Sequence, residues 1–216
     1  TALLSDQGVP ADSYLPNHNW AYTPDTIPYT YDVELAKQYL ADSGWTDTDG
    51  DGLVDKDGKT LQLEIGSQVR EADATMAEAA QNYLKQIGID VTISPVESAV
   101  YNERLAAEDY QAYVLNISQD SPEPSLLIDY AFTSYAGYNK FGYNNERVDE
   151  LVLKANSTGD QEIRKEAYIQ IQKLIKKDYV SLPFFSRYAM VGVSSKVEGF
   201  AHSAAIFNIE DVRVAK

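Results

Sequence analysis

The sequence predicts an α/β fold built on a βαβ unit, and three patterns carry that prediction. Leu61, Leu63 and Ile65 alternate with polar residues; Met76, Ala79, Ala80, Tyr83, Leu84 and Ile87 recur at helical spacing up to Gly88; Ile89, Val91 and Ile93 alternate again. Strand, helix and strand with short joints imply two parallel strands linked by a right-handed crossover. Ala112 to Ile117 follow as a run that is largely apolar on both faces, which places it in the middle of a sheet covered on both sides. Two amphipathic helices complete the pattern, one presenting Val148, Leu151, Val152 and Ala155, the other Ile163, Ala167, Ile171, Leu174 and Ile175, so the expected architecture is a mixed sheet with flanking helices.

Along the chain, Pro10, Pro16, Pro24 and Pro28 are too closely spaced for a helix, and residues 1–31 read as an extended covering segment. The chain starts at Thr1 and shows no helix or strand pattern before about residue 32, as an internal or mature segment does. Asp32 is placed to cap a helix with Val33, Ala36 and Leu40 on one face, and Gly44 stands where a left-handed stop is expected. Another helix is expected from Ser98 through Leu105. Lys173, Lys176 and Lys177 fall near the negative end of the last helix. A final strand pair is expected from Val180 to Phe185 and from Ala189 to Val193. With no repeat and no linker, residues 32–200 read as one α/β lobe and residues 201–216 as a tail or return segment.

Composition narrows the function. The 216 residues are 44% hydrophobic and 24% charged, enough for a real core. Eighteen basic against 33 acidic residues leave a net charge of −15, which disfavours nucleic acid and anionic membrane surfaces as partners. No apolar run approaches the ~18 residues of a membrane span. There is no cysteine, which removes disulfides, thiolate metal sites and thiol nucleophiles. The signatures GxSxG, HExxH, GxxxxGK[ST] and GxGxxG are absent, and His18 and His202 fall in no ligand or base pattern. An enzyme is therefore not expected. The alternative left open is a carbohydrate-active hydrolase with a carboxylate pair assembled across the fold.

Two stretches could carry binding chemistry. Asp47, Asp49, Asp51 and Asp55 occupy positions one, three, five and nine of a loop with Gly52 at six, a spacing that lets one turn of chain wrap a calcium ion. The twelfth position is Gly58 rather than glutamate, and Asp and Gly are also what a hydrophilic hairpin requires, so a calcium-stabilised module and a plain turn both fit. The second stretch is the end of the 112–117 strand, which delivers Ser118, Gln119 and Asp120 to the carboxyl end of the sheet, where open α/β sheets bind ligands. Asp120 suits a cationic group such as a peptide amino terminus, and the backbone of Asn116, Ile117 and Ser118 suits pairing with an extended ligand. The structural alternative is that Asp120 caps a helix starting at Glu123. Tyr130, Phe132, Tyr135, Tyr138, Phe141 and Tyr143, broken by Gly137 and Gly142, form an aromatic loop that lines a pocket or packs a core.

From about residue 28 to residue 200 the order of segments resembles the family 5 extracellular solute-binding proteins, the oligopeptide, dipeptide and nickel receptors of ABC importers. The resemblance lies in Tyr31-Asp32-Val33-Glu34-Leu35-Ala36, Ser43-Gly44-Trp45, Gly58-Lys59-Thr60-Leu61, Leu84-Lys85-Gln86-Ile87-Gly88-Ile89-Asp90-Val91, Arg104-Leu105-Ala106-Ala107, Asp120-Ser121-Pro122-Glu123-Pro124, Tyr143-Asn144-Asn145-Glu146 and Leu182-Pro183-Phe184-Phe185. It implies the carboxyl-proximal lobe of a class II periplasmic-binding-protein clamshell. It also implies a location outside the cytoplasm, periplasmic or lipid-anchored at the cell surface, and a membrane permease as partner. A peptide or other small solute is the implied ligand, with Asp120 holding a peptide amino terminus. Ile117 stands where many peptide binders carry tryptophan, and Asn139, Phe185 and Arg187 fall near positions that face the cleft. The resemblance implies no cofactor, and calcium is not a general requirement of the family.

Overall fold

A computed structural model describes residues 8–24, 30–117, 121–188, 190–203, 206–208 and 210–214. Two compact units divide the chain, one made of Thr1–Pro28 with Ile117–Lys216, the other of Tyr29–Asn116. The division cuts through the span 32–200 that was expected to form one lobe. In chain order the main elements are β1 (Gly8–Pro10), α1 (Val33–Asp42), β2 (Asp55–Lys56), β3 (Lys59–Thr60), β4 (Gln62–Gln68), α2 (Glu71–Lys85), β5 (Asp90–Val96), α3 (Ser98–Ala106), β6 (Ala112–Tyr113), α4 (Ile128–Phe132), α5 (Glu146–Asn156), α6 (Gln161–Lys177) and β7 (Phe185–Arg187). Two short antiparallel ribbons follow, β8 (Val197–Glu198) with β11 (Arg213–Val214), and β9 (Ala201–Ser203) with β10 (Ile206–Asn208).

In the 29–116 unit, the Asp32 carboxylate accepts the Leu35 amide at 2.9 Å and starts α1 as expected, and Gly44, at φ +86°, ends it. The βαβ unit forms with β4 and β5 parallel from Gln62↔Asp90 to Gln68↔Val96. Ile65, Ala77 and Val91 are buried between sheet and α2, joined by Leu63, Leu84, Ile93, Ala112 and Val114. Glu64 and Gly66 face α3, whose Arg104 donates to Glu64 and Ser94, each at 2.9 Å, and to Asp109, also at 2.9 Å. The guanidinium lies 4.1 Å from the Tyr110 ring, and that ring occupies the space a side chain at position 66 would need.

The run 112–117 corrects the expectation of a central strand. The strand order is β5-β4-β6, so β4 is in the middle and β6 contributes only Ala112↔Ile65 and Tyr113↔Gly66 at the edge. Helices cover both faces, which explains the two-sided apolar pattern: Ala112 and Val114 pack toward α2, while Tyr113 lies near the Tyr110 ring. After the Val114 amide donates to the Gly66 carbonyl at 2.9 Å, the strand ends, and Asn116 and Ile117 are exposed.

Within the other unit, the proline-rich start is not only a cover. Tyr14, Leu15 and Ala21 are core residues, packed with Ile128, Phe132, Val148, Leu151, Val152, Tyr168, Ile171 and Ile175. β1 pairs antiparallel with β7, Gly8↔Arg187 through Pro10↔Phe185. The expected pair between 180–185 and 189–193 therefore does not form among the described residues; Pro183 lacks the amide a ladder needs, and β7 takes its partner from the amino-terminal segment instead. Ala189 lies outside the described residues. Gln172, fully buried on α6, accepts from Ser13 Oγ at 2.9 Å and donates to the Ala21 and Tyr168 carbonyls at 3.1 Å each. The two amphipathic helices occur as expected, with α5 capped by Asn145 and α6 by Asp160.

The acidic turn between α1 and β4 is closed by its own amides. Asp47 accepts from Gly50 at 2.7 Å and Gly52 at 3.0 Å, Asp49 from Asp51, Asp51 from Leu53, and Asp55 from Thr48 through both amide and hydroxyl.

Three outcomes are expected. Gln172→Ala removes the acceptor that Ser13 Oγ uses and the donor to the Ala21 carbonyl, and leaves a cavity in the core, lowering unfolding free energy by about 2–4 kcal/mol in denaturant titration. Glu64 is held below the usual glutamate range, first by its hydrogen bond from Arg104. A depressed carboxyl contributes stability above its unfolded pKa and loses it as pH falls through the folded value, so Glu64→Gln flattens the acid limb of the stability curve below about pH 4. Asp47→Ala, which frees two glycine amides, lowers stability by about 1 kcal/mol, and by the same amount in calcium as in chelator, read from melting temperature.

Candidate functional site

The strand β6 and the chain that leaves it carry the first group of expected ligand residues. Asn116 ends one unit and Ile117 begins the other, and both are exposed, Ile117 at 37%. Ser118, Gln119 and Asp120 lie outside the described residues. Downstream, a 3-10 turn spans Pro124–Leu126 with Glu123 at its N-cap position, while the expected capping role of Asp120 lies outside the described residues. The Glu123 amide is bound by Ser121 Oγ at 3.2 Å.

The stretch after this turn is fastened to the helix pair. Asp129, at the start of α4, accepts from Tyr168 at 3.1 Å and from Asn156 at 2.8 Å. Burial pushes its carboxyl above the usual aspartate range, and those two donors pull it back. The aromatic loop divides into two sets. Phe132 is buried and meets Tyr14 edge-on, at 5.9 Å between ring centroids. Tyr130 and Tyr138 pack on each other at 4.4 Å between centroids with half their surface exposed, and Tyr135 is exposed beyond them.

Asn139 braces this loop. Its Nδ2 donates to the Thr133 carbonyl at 2.9 Å and the Tyr143 carbonyl at 2.6 Å, and its Oδ1 accepts the Tyr143 amide at 2.9 Å. Both amide donors are thereby engaged. Phe185 and Arg187 sit two residues apart on β7 and so share one face of that strand, Phe185 half-buried and Arg187 exposed. A side chain at Gly8, opposite them, would press on the Ser186 carbonyl and the Phe185 ring, which ties β1 to β7 at backbone contact. Asn139, Phe185 and Arg187 belong to one unit.

In the acidic turn, carboxylates of Asp47, Asp49 and Asp55 approach within 4.8 Å of one another, while Asp51 is not in that group. A polar depression of about 120 Å³ lies there, lined by Thr48, Asp49, Asp51, Leu53, Asp55, Gly58 and Thr60. The carboxylate oxygens keep lone pairs beyond the amide bonds they accept, so the residues are chemically able to hold a hard cation. The sequence reading missed the pairing of Glu123 with Arg164 of α6, forty-one residues apart. No spacing rule joins positions so distant.

Comparison with known proteins places this geometry in a family. Residues 1–139 match the model of the bacterial extracellular solute-binding proteins, family 5 Middle. The oligopeptide-binding protein AppA of Bacillus subtilis is 31% identical over 216 residues, a stretch covering 94% of this chain and 39% of that protein. The probable D,D-dipeptide-binding periplasmic protein DdpA of Escherichia coli is 27% identical over 214 residues, 96% of this chain and 39% of its own length. The chain thus spans about two-fifths of these relatives. The structure of Bacillus subtilis AppA in complex with a nonapeptide superposes on all of this chain and 45% of its own, with a TM-score of 0.78 and 28% identity. HbpA2 from Haemophilus parasuis shares the fold at a TM-score of 0.83 and 20% identity, over 100% of this chain and 42% of its own. The chain belongs to the bacterial extracellular solute-binding proteins of family 5.

Proposed function

We propose that this chain is part of the substrate-binding component of an ABC importer, a receptor that works outside the cytoplasmic membrane, captures a peptide, and passes it unchanged to a membrane permease. The observation that carries this reading is the likeness, over the whole chain, to a relative whose structure holds a nonapeptide. The composition agrees with it, since a charge of −15 and the absence of cysteine suit neither nucleic acid binding nor thiol chemistry. Whether such a receptor is periplasmic or held at the surface by lipid belongs to the parent protein.

The ligand-holding group in this reading is Asp120, whose carboxylate meets the peptide's amino terminus, with the backbone of Asn116, Ile117 and Ser118 alongside the peptide as an added strand. Support comes from the end of β6: the last ladder bond is at Val114, and the two residues that close the described stretch are exposed rather than folded back into the core. Exposed backbone next to a parallel sheet edge is the arrangement that strand addition uses. Ile117, Gln119, Asn139, Phe185 and Arg187 would contact ligand side chains or shape their space. In a two-lobed receptor this lobe supplies only part of the contacts, so the full-length protein is the one to measure.

In calorimetry of the full-length protein with a bound peptide identified by mass spectrometry of co-purifying material, Asp120→Ala is expected to weaken binding by about 1.5–3 kcal/mol, roughly 10- to 150-fold. The peptide is recovered intact. Unchanged affinity in the variant removes Asp120 from the site, and cleaved peptide removes the receptor reading altogether.

A further inference from the structure

Asp49, Asp51 and Asp57, all in the 29–116 unit, are each followed by glycine. An Asp-Gly step is open to attack from within, because a glycine nitrogen has no side chain beside it and turns freely over the preceding carboxyl. The fold treats the three steps differently. Asp47 accepts the Gly50 amide at 2.7 Å and the Gly52 amide at 3.0 Å, while the Asp49 carboxylate accepts the Asp51 amide at 3.2 Å and the Asp51 carboxylate the Leu53 amide at 2.8 Å. Nucleophile and carboxyl are thus both engaged at the first two steps. Asp57 and Gly58 form the two-residue turn between β2 and β3, at φ +54° and +72°, and both are exposed. Among the described residues, neither the Gly58 amide nor the Asp57 carboxylate has a hydrogen bond or ion pair, and nothing lies within 4 Å of where a Gly58 Cβ would stand.

We propose that Asp57 is a self-modification site, converting to isoaspartate through a succinimide, and that Asp47 shields Asp49 and Asp51 from the same conversion. The Gly58 nitrogen bonds to the Asp57 Cγ, and a carboxyl oxygen leaves as water, taking the amide proton and one proton from solvent. Water then adds to the former peptide carbonyl of Asp57, whose bond to the Gly58 nitrogen breaks, so that the chain runs through Cβ and Cγ and the α-carboxylate is released. No reagent other than water takes part. The ring closes only when the turn opens, since the nitrogen must swing over the side chain. What holds the turn is a ribbon of two residue pairs, Asp55↔Thr60 and Lys56↔Lys59, exposed at its tip, where local opening costs least. Asp57 also occupies the left-handed region, uncommon for a residue with a Cβ, and the isoaspartyl linkage removes that constraint. The extra backbone atom does not fit a two-residue turn, so Lys56 loses its register with Lys59. Lys56 is also the residue whose Nζ donates to the Ser43 carbonyl at 2.9 Å, so modification loosens the hold of the ribbon on the end of α1.

The test incubates the full-length protein near neutral pH in oxygen-18 water and follows its chymotryptic peptides by mass spectrometry, with fragment ions that tell isoaspartate from aspartate. Each ring opening takes up one labelled oxygen. Isoaspartate is expected first at position 57, with positions 49 and 51 slower by about fivefold or more, the population cost of breaking one amide hydrogen bond. In urea, where no fold protects them, the three rates should converge. Asp47→Ala should raise the rates at 49 and 51 by about fivefold and leave 57 unchanged. Asp47→Asn keeps one acceptor oxygen at nearly the same size and should release only one of the two positions, which holds the test open if the alanine variant does not fold. Equal rates at the three positions in the folded protein, or an order that persists unchanged in urea, overturns the assignment of Asp57. Rates at 49 and 51 that ignore both Asp47 variants overturn the shielding.

Discussion

The amide of Gln172 joins three pieces of chain in the interior of a unit whose sequence is interrupted by another unit. Ser13 lies 159 residues away and Ala21 lies 151 away, yet both reach the same buried side chain. Closing so long a loop costs conformational entropy that no local contact offsets, so the amino-terminal segment must find enough burial and hydrogen bonding on α5 and α6 to stay. Tyr14, Leu15 and Ala21 supply the burial, and Tyr14 adds a hydrogen bond to the Ser181 carbonyl at 2.9 Å, 167 residues distant. β1 on β7 completes the attachment. The aromatic loop and the grip of α6 on Glu123 are built on the helix pair that this attachment closes.

The other unit solves a local problem. Its parallel strands need a crossover, which α2 provides, and burial of Ile65 and Val91 against Ala77 fixes the register, since a one-residue slip would turn those side chains to the α3 face. That face has its own chemistry. Glu64 and Arg104 meet there beneath Tyr110, and Gly66 leaves the ring its place, so a charged pair sits on a sheet surface that would otherwise be apolar.

Sequence pattern revealed the elements whose causes are local. Alternation in 61–65 and 89–93, helical spacing in 76–87, and the caps Asp32 and Gly44 each depend on neighbours within a few residues, and all appear where expected. The misplacements share another cause. A run apolar on both faces reports that both faces are covered, which is true of Ala112 to Val114, but says nothing about whether a strand stands on each side. Proline spacing excluded helix from the first residues without indicating that Tyr14 and Leu15 would be core, because that depends on partners 150 residues downstream. The pairing of Glu123 with Arg164 beside Trp20 follows from tertiary packing that no spacing encodes.

Asn139 illustrates how support and recognition compete for the same atoms. A side-chain amide has two donor hydrogens and two acceptor lone pairs. Its donors go to Thr133 and Tyr143, and one acceptor position goes to the Tyr143 amide, which leaves a single lone pair for anything outside the loop. A ligand can therefore gain little from Asn139 directly, whereas losing it would release two carbonyls and an amide at the base of the loop that carries the Tyr130–Tyr138 pair. Arg187 is the contrasting case: it is exposed on a strand whose backbone is already fixed by Gly8, so its charge can serve a ligand without dismantling the fold. The backbone-committed amide and the exposed guanidinium fall to different elements of the same unit.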